Sequence, residues 1–411
     1  MDEGVGAVRT VPLRRIARIL NGGTPTSAEN NWGGDIEWAT PVDLARTDGR
    51  VLGSTDRKLT EIGLATGSTL APHSAILLST RAPIGYTSIL ATPTSFNQGC
   101  KAIVLSSPGD PRFLQFSLIS QKESLQAAGS GSTFLELSNE ALAEAPVFLF
   151  PVEDQRRIAD FLDDRVARID KIIAARQQQV ALADGIITSL LTDRILVGDN
   201  KVPLRRFIQD ERLGIWGAEP DESEANVHVA RVADFSRDEF KLEDSPTIRS
   251  APIKHIKTRT IIPGDVLLER SGGTPMNPVG CPAFVSKLDG PTVCSNFVSR
   301  IRPGVDTDGR YLSLAMGALY ATRQQEPHSN HTTGIQNLNP SSYFSVSLPK
   351  PNLDEQRRIA VEVENEMHDI RRQQKKIKQV VELLQEYKQS LITAAVTGEF
   401  DVTTASTRIP E

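Results

Sequence analysis

Two long stretches of the chain place apolar residues at alternating steps of three and four. The first runs from residue 154 to about 196 and lacks proline. One seam consists of Val166, Ile173, Val180 and Ile187, and the other of Leu162, Ile169, Ala183 and Leu190, with Arg176 as its one polar member. This spacing is typical of a coiled coil and predicts a long amphipathic helix.

The second stretch, 355–397, has the same pattern. Its seams are predicted at Ile370, Ile377, Leu384 and Leu391, and at Val380, Tyr387 and Ala394. Asp154 and Glu355 stand at the two helix starts, where a carboxylate interacts favourably with the helix dipole. Each helix would be about 60 Å long if unbroken. We expect the two helices to pair antiparallel within one chain; homodimerisation through the seams is the alternative.

The chain also repeats itself with an offset of 201 residues. DQRRIA at 154–159 recurs as EQRRIA at 355–360, and SLLT at 189–192 recurs as SLIT at 390–393. VPLRR occurs at 11–15 and at 202–206, an offset of 191, whereas the GGTP motifs at 22–25 and 272–275 are out of register. The repeats predict a globular domain at 1–150, a helical spacer at 151–201, a second globular domain at 202–350 and a helical spacer at 351–411.

Internal pseudo-two-fold symmetry follows from this order, because the end of the second helix resembles the segment that precedes the second VPLRR. A gene duplication without functional symmetry is the alternative. The globular parts are predicted to be α/β or α+β. Apolar runs at 74–80, 101–107, 264–270 and 296–303 predict strands, and 112–120 and 310–320 predict helices. Polar loops follow the helices at 129–139 and 328–339.

The turns and loops beside these strands carry side chains suited to nucleic acid. Arginine pairs with guanine edges, Asn and Gln pair with adenine edges, and Ser, Thr and Lys contact phosphates. For any single residue, a role as turn former or solvated surface group is the simpler interpretation. The candidate DNA-binding residues are Thr80, Arg81, Asn97, Gln98, Lys101, Ser132, Thr133, Arg270, Ser271, Asn296, Arg300, His331, Thr332 and Thr333.

Composition narrows the class of protein without identifying it. The 411 residues are 39% hydrophobic and 24% charged, with a formal charge of −5, so the chain can fold into soluble globular domains but is not a basic nucleic-acid coat. No stretch approaches the length of a membrane span, and the start lacks the apolar core of a signal peptide. Three cysteines without a close pair argue against a disulfide framework and favour a reducing, cytoplasmic compartment.

The sequence offers no catalytic or metal-binding constellation. It has no GxxxxGK[ST] phosphate loop, and Asn339-Pro340 is followed by two serines rather than the aromatic tetrapeptide of adenine methyltransferases. His328 and His331 are too few ligands for a metal, and Cys100, Cys281 and Cys294 have no evident partner base. We therefore expect neither enzymatic activity nor a bound metal; an unrecognised hydrolase is a third hypothesis.

The duplicated QRRIA helix entries, each shortly after a proline, the GDVLLERSGG turn and the FNQGCKAI strand resemble the specificity subunit of type I restriction-modification systems. The resemblance covers essentially the whole chain. It implies two target-recognition domains, each reading one half of a bipartite sequence in double-stranded DNA, on a subunit without a catalytic site. It further implies two modification subunits that methylate adenine, and restriction subunits that cleave. S-adenosylmethionine, Mg and ATP would be bound by those partners, and no cofactor by this chain.

The duplicated helix entries are the candidate contacts for the modification subunits. Two identical partners could each bind one copy. The candidates are Gln155, Arg156, Arg157, Gln356, Arg357 and Arg358. Alternatively, these residues tie each helix to its globular domain. A coiled-coil adaptor without DNA binding is the alternative for the whole protein.

Overall fold

The computed structural model describes residues 9–81, 83–130, 135–220, 225–245, 247–332 and 335–402, with only the backbone for residues 331 and 332. The chain divides into two compact units. The first unit contains residues 1–174 and 381–411, and the second contains residues 175–380. Each unit therefore combines one globular part with one segment of each long helix.

The first unit contains short strands and helices followed by a long helix. Its strands are β1 (Thr10–Pro12), β2 (Ala17–Asn21), β3 (Trp32–Ala39), β4 (Arg50–Leu52), β5 (Arg57–Leu59), β6 (Thr69–Ala71), β7 (Ile76–Ser79), β8 (Thr87–Leu90), β9 (Thr94–Phe96), β10 (Cys100–Leu105) and β11 (Pro146–Phe148). Its helices are α1 (Pro41–Arg46), α2 (Glu61–Gly67), α3 (Pro111–Ser120), α4 (Lys122–Ala127) and α5 (Asn139–Ala143). Helix α6 (Val152–Leu191) begins in this unit and ends in the second.

The strands of the first unit form a five-stranded sheet, β2-β10-β7-β8-β4, a four-stranded sheet, β5-β3-β9-β6, and the pair β1-β11. Strand β10 lies between β2 and β7, antiparallel to both. Strands β7, β8 and β9 are buried on both faces, which explains their nearly continuous apolar and small residues. Asp110 caps the start of helix α3, because its carboxylate accepts hydrogen bonds from the backbone N–H groups of Arg112 and Phe113.

The second unit repeats this order. Its strands are β12 (Lys201–Pro203), β13 (Ile208–Leu213), β14 (Ala225–Ala230), β15 (Phe235–Ser236), β16 (Lys241–Leu242), β17 (Ile248–Ala251), β18 (Val266–Glu269), β19 (Ser271–Gly272), β20 (Pro282–Phe284), β21 (Thr292–Cys294), β22 (Val298–Pro303), β23 (Ser329–Thr332), β24 (Ile335–Leu338) and β25 (Ser347–Pro349). Its helices are α7 (Ile253–Arg259), α8 (Gly309–Ala321), α9 (Pro340–Tyr343) and α10 (Leu353–Thr397), the last of which ends in the first unit.

The sheets of the second unit are a six-stranded sheet, β13-β22-β18-β20-β16-β15, two three-stranded sheets, β17-β14-β21 and β19-β24-β23, and the pair β12-β25. Strand β22 lies between β13 and β18, as β10 lies between β2 and β7 in the first unit. Asp308 caps α8 through the N–H groups of Arg310 and Tyr311, as Asp110 caps α3. The two units are therefore built to the same plan.

Backbone contacts at equivalent positions recur in both units, as expected for a duplicated fold. The N–H of Gly23 donates to the oxygen of Phe96 at 2.9 Å, and that of Ile215 donates to the oxygen of Cys294 at 2.8 Å. A Cβ atom at Gly22 would lie 2.1 Å from the oxygen of Asn97, and one at Gly214 would lie 2.0 Å from the oxygen of Cys294. Both positions therefore require glycine. The two GGTP motifs lie in different turns, one directly after β2 and one that begins at the last residue of β19, in agreement with their different register.

The long helices run antiparallel within each unit. In the first unit, Asp170 binds Lys388 at 2.8 Å, while Leu162, earlier in α6, packs with Ala395, later in α10. In the second unit, Gln374 donates to the oxygen of Val180 at 2.8 Å, and Arg194 binds Glu366 at 3.3 Å. The predicted mixed α/β fold with two globular parts and a pair of long antiparallel helices is confirmed.

The seams of α6 are confirmed, but one predicted seam of α10 is wrong. Val380 and Tyr387 are 42% and 58% exposed. The companion seam instead runs through Gln374, Val381, Lys388 and Ala395, each buried or half-buried. The hydrophobic pattern missed this seam because two of its members are polar: Gln374 donates to α6 and Lys388 pairs with Asp170.

Candidate nucleic-acid interface

A group of turns in the first unit brings several predicted DNA-binding residues together. The turn at 97–99 follows β9, and the Oδ1 of Asn97 accepts a hydrogen bond from the N–H of Gly99 at 2.9 Å. The exposed Gln98 accepts a hydrogen bond from the hydroxyl of Thr24 in the loop after β2. Arg81 is half-exposed and pairs with Glu136 at 3.0 Å. Asn97, Gln98 and Arg81 are therefore held by local contacts.

Two tryptophans hold the loop after β2 in place by hydrogen bonds. The indole N–H of Trp38 donates to the oxygen of Gly23 at 3.1 Å, and that of Trp32 donates to the oxygen of Thr26 at 2.8 Å. The two rings meet edge to face, with centroids 4.9 Å apart. The side chain of Arg57, on β5, stacks on Trp32. We call Thr24, Arg57, Arg81, Asn97 and Gln98 the turn surface of the first unit.

Two other candidates in the first unit are buried. Thr80 is fully buried, and its hydroxyl donates to the oxygen of Gly99 at 3.2 Å. Lys101 is also buried; its ammonium group donates to Oδ1 of Asn21 at 3.2 Å, and burial lowers its pKa. Both side chains therefore support the turns in this structure. Ser132 and Thr133 lie outside the described residues.

The second unit has a cleft at the corresponding turns. Trp216, Arg231, Arg237, Ser271, Asn277 and Phe297 are among its lining residues. The hydroxyl of Ser271 donates to Oδ1 of Asn337 at 2.6 Å, and Asn296, in the adjoining turn, is exposed. The cleft therefore combines hydrogen-bonding groups, which can read base edges, with aromatic surface, which can contact the methyl group of thymine.

The two candidate arginines of the second unit lie beneath this surface. Arg270 binds Glu211 at 2.7 Å and the hydroxyl of Ser299 at 2.9 Å. Arg300 is buried and pairs with Asp210. Burial lowers the pKa of both guanidinium groups. His331 and Thr332 lie on β23, where only the backbone is described, and Thr333 lies outside the described residues.

Sequence reasoning missed an ion pair at the base of the cleft. Glu269 is 1% exposed and accepts hydrogen bonds from Arg237 at 2.9 and 3.1 Å. Burial raises the pKa of Glu269 to about 7, although Arg237 acts in the opposite direction. The GDVLLERSGG segment contains this carboxylate, but no local pattern indicates that Arg237 lies opposite it.

The raised pKa predicts a pH-dependent contribution to stability. Unfolded Glu269 would have a pKa near its ordinary value, about 4.3. The folded protein therefore binds the proton of Glu269 more tightly than the unfolded chain does. The resulting contribution to stability is fully present below the unfolded pKa and is lost as the pH rises through the folded pKa of about 7. Glu269→Gln is expected to flatten the dependence of the unfolding free energy on pH between about 4.5 and 7. Denaturant titrations at several pH values measure this; an unchanged dependence would contradict it.

The duplicated helix entries separate into buried and exposed residues. The side chain of Gln155 accepts a hydrogen bond from the N–H of Asp110 and donates to the oxygen of Phe150, both at 2.9 Å. Gln356 does the same with Asp308 at 2.9 Å and Pro351 at 2.8 Å. The other four residues, Arg156, Arg157, Arg357 and Arg358, are exposed and form ion pairs within their helices, and Arg357 also lies 4.0 Å from a carboxylate oxygen of Asp308. The glutamines tie each helix to its globular part.

No group of three or more His, Cys, Asp or Glu side chains among the described residues is arranged to hold a metal. Burial raises the pKa of Cys281 and Cys294 to about 12, and raises that of Cys100 as well. These thiols are therefore protonated at neutral pH and suited to core packing rather than nucleophilic attack. Within the described ranges, no helix has both the length and the hydrophobicity needed to cross a membrane.

The sequence matches a known family over its first part. Residues 7–182 match the family described as the type I restriction modification DNA specificity domain. The chain is 32% identical over 182 residues to the type I restriction enzyme MjaIX specificity subunit of Methanocaldococcus jannaschii, which covers 43% of this chain and 41% of that protein. It is 33% identical over 100 residues to the EcoprrI specificity subunit of Escherichia coli, 24% of each. The matches thus span less than half the length of these relatives.

The fold has a counterpart among solved structures. A chain from a structure of the complex assembly and conformational transition of the type I R-M system aligns with a TM-score of 0.72. The alignment covers 96% of this chain and 99% of that chain at 15% sequence identity, so it shows a common fold. The resemblance predicted from the sequence is confirmed over this part of the chain: residues 7–182 form a type I restriction modification DNA specificity domain.

Proposed function

We propose that the chain is a non-catalytic subunit that recognises a bipartite sequence in double-stranded DNA for a type I restriction-modification complex. The single observation that carries this proposal is the duplication of the turn architecture. Each compact unit presents polar turns that are held by equivalent backbone hydrogen bonds, Gly23 to Phe96 in one and Ile215 to Cys294 in the other. Two similar recognition surfaces on one chain suit a target with two separate parts.

The exposed residues of each unit, rather than the buried ones, are the proposed base-reading groups. In the first unit these are Thr24, Arg81, Asn97 and Gln98 of the turn surface. In the second unit they are Asn296 and Ser271 together with the aromatic side chains of the cleft, Trp216 and Phe297. Thr80, Lys101, Arg270 and Arg300 are proposed to hold the turns in place, because their polar atoms are engaged inside the protein.

The proposed partners are two modification subunits and the restriction subunits. S-adenosylmethionine, Mg and ATP would be bound by these partners, in the cytoplasm. Arg156 and Arg157, and their counterparts Arg357 and Arg358, are exposed at equivalent helix positions. Exposed ion pairs within a helix contribute little to stability, so these arginines can exchange their carboxylates for a partner's. The four arginines are therefore the proposed contacts for the two modification subunits.

DNA affinity is proposed to depend on the assembled complex. The net charge of −5 gives the isolated chain weak attraction for phosphates. We expect a gel shift with fragments containing the target only when the modification subunit is added. Fragments without the target serve as the control. Equal binding of both fragments by the complex would contradict sequence recognition, and tight specific binding by the lone chain at physiological salt would contradict the shared affinity.

A further inference from the structure

Arg57 stands out on the turn surface because aromatic rings hold its guanidinium in place. Its Cζ lies 3.5 Å from the ring centroid of Trp32 and 5.1 Å from that of Trp38. The planar guanidinium stacks well on an aromatic face, and the contact restricts an otherwise flexible side chain. Arg57 is nevertheless exposed to solvent. The group is thus positioned on the surface before any ligand binds.

The donors of Arg57 are not used within the described part of the protein. No hydrogen-bond acceptor and no carboxylate within 4 Å engages its guanidinium there. Its neighbours differ: Lys58 pairs with Glu37 at 2.7 Å, and Arg46 pairs with Asp56 at 2.8 Å. A guanidinium has five N–H donors in a rigid fork, which matches two adjacent acceptors. Arg57 therefore presents an ordered and unoccupied pair of donors.

The stack also fixes Arg57 relative to the other polar residues of the turn surface. Trp32 donates to the oxygen of Thr26, and Trp38 donates to that of Gly23, in the same loop. Thr24, between these two positions, donates to Gln98. A short chain of direct contacts thus connects Arg57 to Gln98. The arrangement is that of one preformed surface, which reduces the entropy lost on binding.

We propose that Arg57 contacts the DNA half-site that the first unit recognises, donating two hydrogen bonds to a pair of adjacent acceptors. The inference rests on the proposed function and names a residue for it that the sequence did not indicate. Two parts of DNA offer such a pair: the O6 and N7 atoms of guanine, and the oxygens of a phosphate. Both match the planar fork of arginine.

The second unit contains a similar stack that is already occupied. The Cζ of Arg249 lies 4.5 Å from the ring centroid of Trp216. However, the side chain of Arg249 is only 17% exposed and pairs with Glu219. Its guanidinium is therefore engaged within the protein. Because Arg249 is engaged and Arg57 is not, the proposed DNA contact is restricted to Arg57 and to the half-site of the first unit.

The test uses the full chain assembled with its modification subunits, with Arg57→Ala and Arg57→Lys as the variants. The matched controls are Arg50→Ala and Arg50→Lys, because Arg50 is an exposed arginine on β4 without a carboxylate partner among the described residues. Two quantities are measured: the methylated motif, base by base, and the affinity for target DNA at several salt concentrations. Thermal unfolding confirms that each variant is folded.

We expect Arg57→Ala to weaken target binding about 10- to 100-fold, while the Arg50 variants bind like the unaltered protein. If the acceptors belong to guanine, Arg57→Lys relaxes the motif at one position of one half-site and leaves the other half unchanged. If they belong to a phosphate, Arg57→Lys retains affinity and motif, and Arg57→Ala reduces the slope of log affinity against log salt by about 1. Either result supports the contact.

The inference would be overturned if both Arg57 variants kept the motif, the affinity and the salt dependence of the unaltered protein, provided that the unaltered complex methylates a bipartite site. Failure of the proposed function has a different signature. In that case the unaltered complex and the Arg50 variants would also show no bipartite motif.

Discussion

Replacing Gln356 with alanine is expected to destabilise the second unit by about 3 kcal/mol. The side chain is fully buried and contacts three backbone groups: the N–H of Asp308 at 2.9 Å, the oxygen of Pro351 at 2.8 Å and that of Asp306 at 3.1 Å. Each buried group left without a partner costs about 1–3 kcal/mol. Asp308 is also the cap of α8, so the start of that helix is expected to loosen.

Hydrogen exchange measured segment by segment is the suitable readout, because a chain with two compact units need not unfold in a single step. Gln155→Ala tests the equivalent position of the first unit, and the faster exchange should then appear in α3. Arg358→Ala is the matched control, since this neighbouring side chain is exposed and bonds only within its helix. If hydrogen exchange in α8 is as slow in Gln356→Ala as in the control, the glutamine does not hold α10 and the globular part of the second unit together.

Lengthening both long helices by the same four residues is expected to lengthen the gap between the two half-sites by one or two base pairs. One helical turn adds about 5.4 Å, and successive base pairs are about 3.4 Å apart. The insertions belong after Ala174 and after Val380, where the two compact units divide. Because the helices run antiparallel in each unit, equal insertions in both preserve the contacts on either side, and a four-residue insertion only unwinds the coiled coil locally.

Sequencing of methylated DNA from cells that carry the lengthened chain measures this gap. The half-site sequences should remain as they are, because both globular parts are unaltered. Insertion into one helix alone is the control, and we expect it to abolish methylation by shifting one seam against the other. A lengthened chain that keeps the original gap would contradict a role of the helices in measuring distance.

The long helices could be predicted from the sequence because their signal is local and repeated. Spacing by seven identified Ile370, Ile377, Leu384 and Leu391 correctly, and the structure places α10 at Leu353–Thr397, close to the predicted 355–397. The companion seam could not be found in this way. Its positions include Gln374 and Lys388, whose burial depends on partners in α6 that lie about 200 residues away in the sequence.

The candidate site was less predictable, because its chemistry depends on contacts between distant segments. Polar residues next to strands were assigned to DNA binding, but Thr80, Lys101 and Arg300 lie in or beside strands covered on both faces. No sequence pattern distinguishes a polar side chain that points inward to hold a turn from one that points outward. Arg57 was missed for the same reason: its position against Trp32 is set by the pairing of β5 with β3.

Base-resolution sequencing of methylated DNA from cells that carry the unaltered chain and its modification subunits tests the central claim most directly. The account predicts methylated adenines within one motif that has two defined parts and a fixed number of undefined bases between them. A single uninterrupted motif, or methylation that is the same with and without this chain, would contradict it.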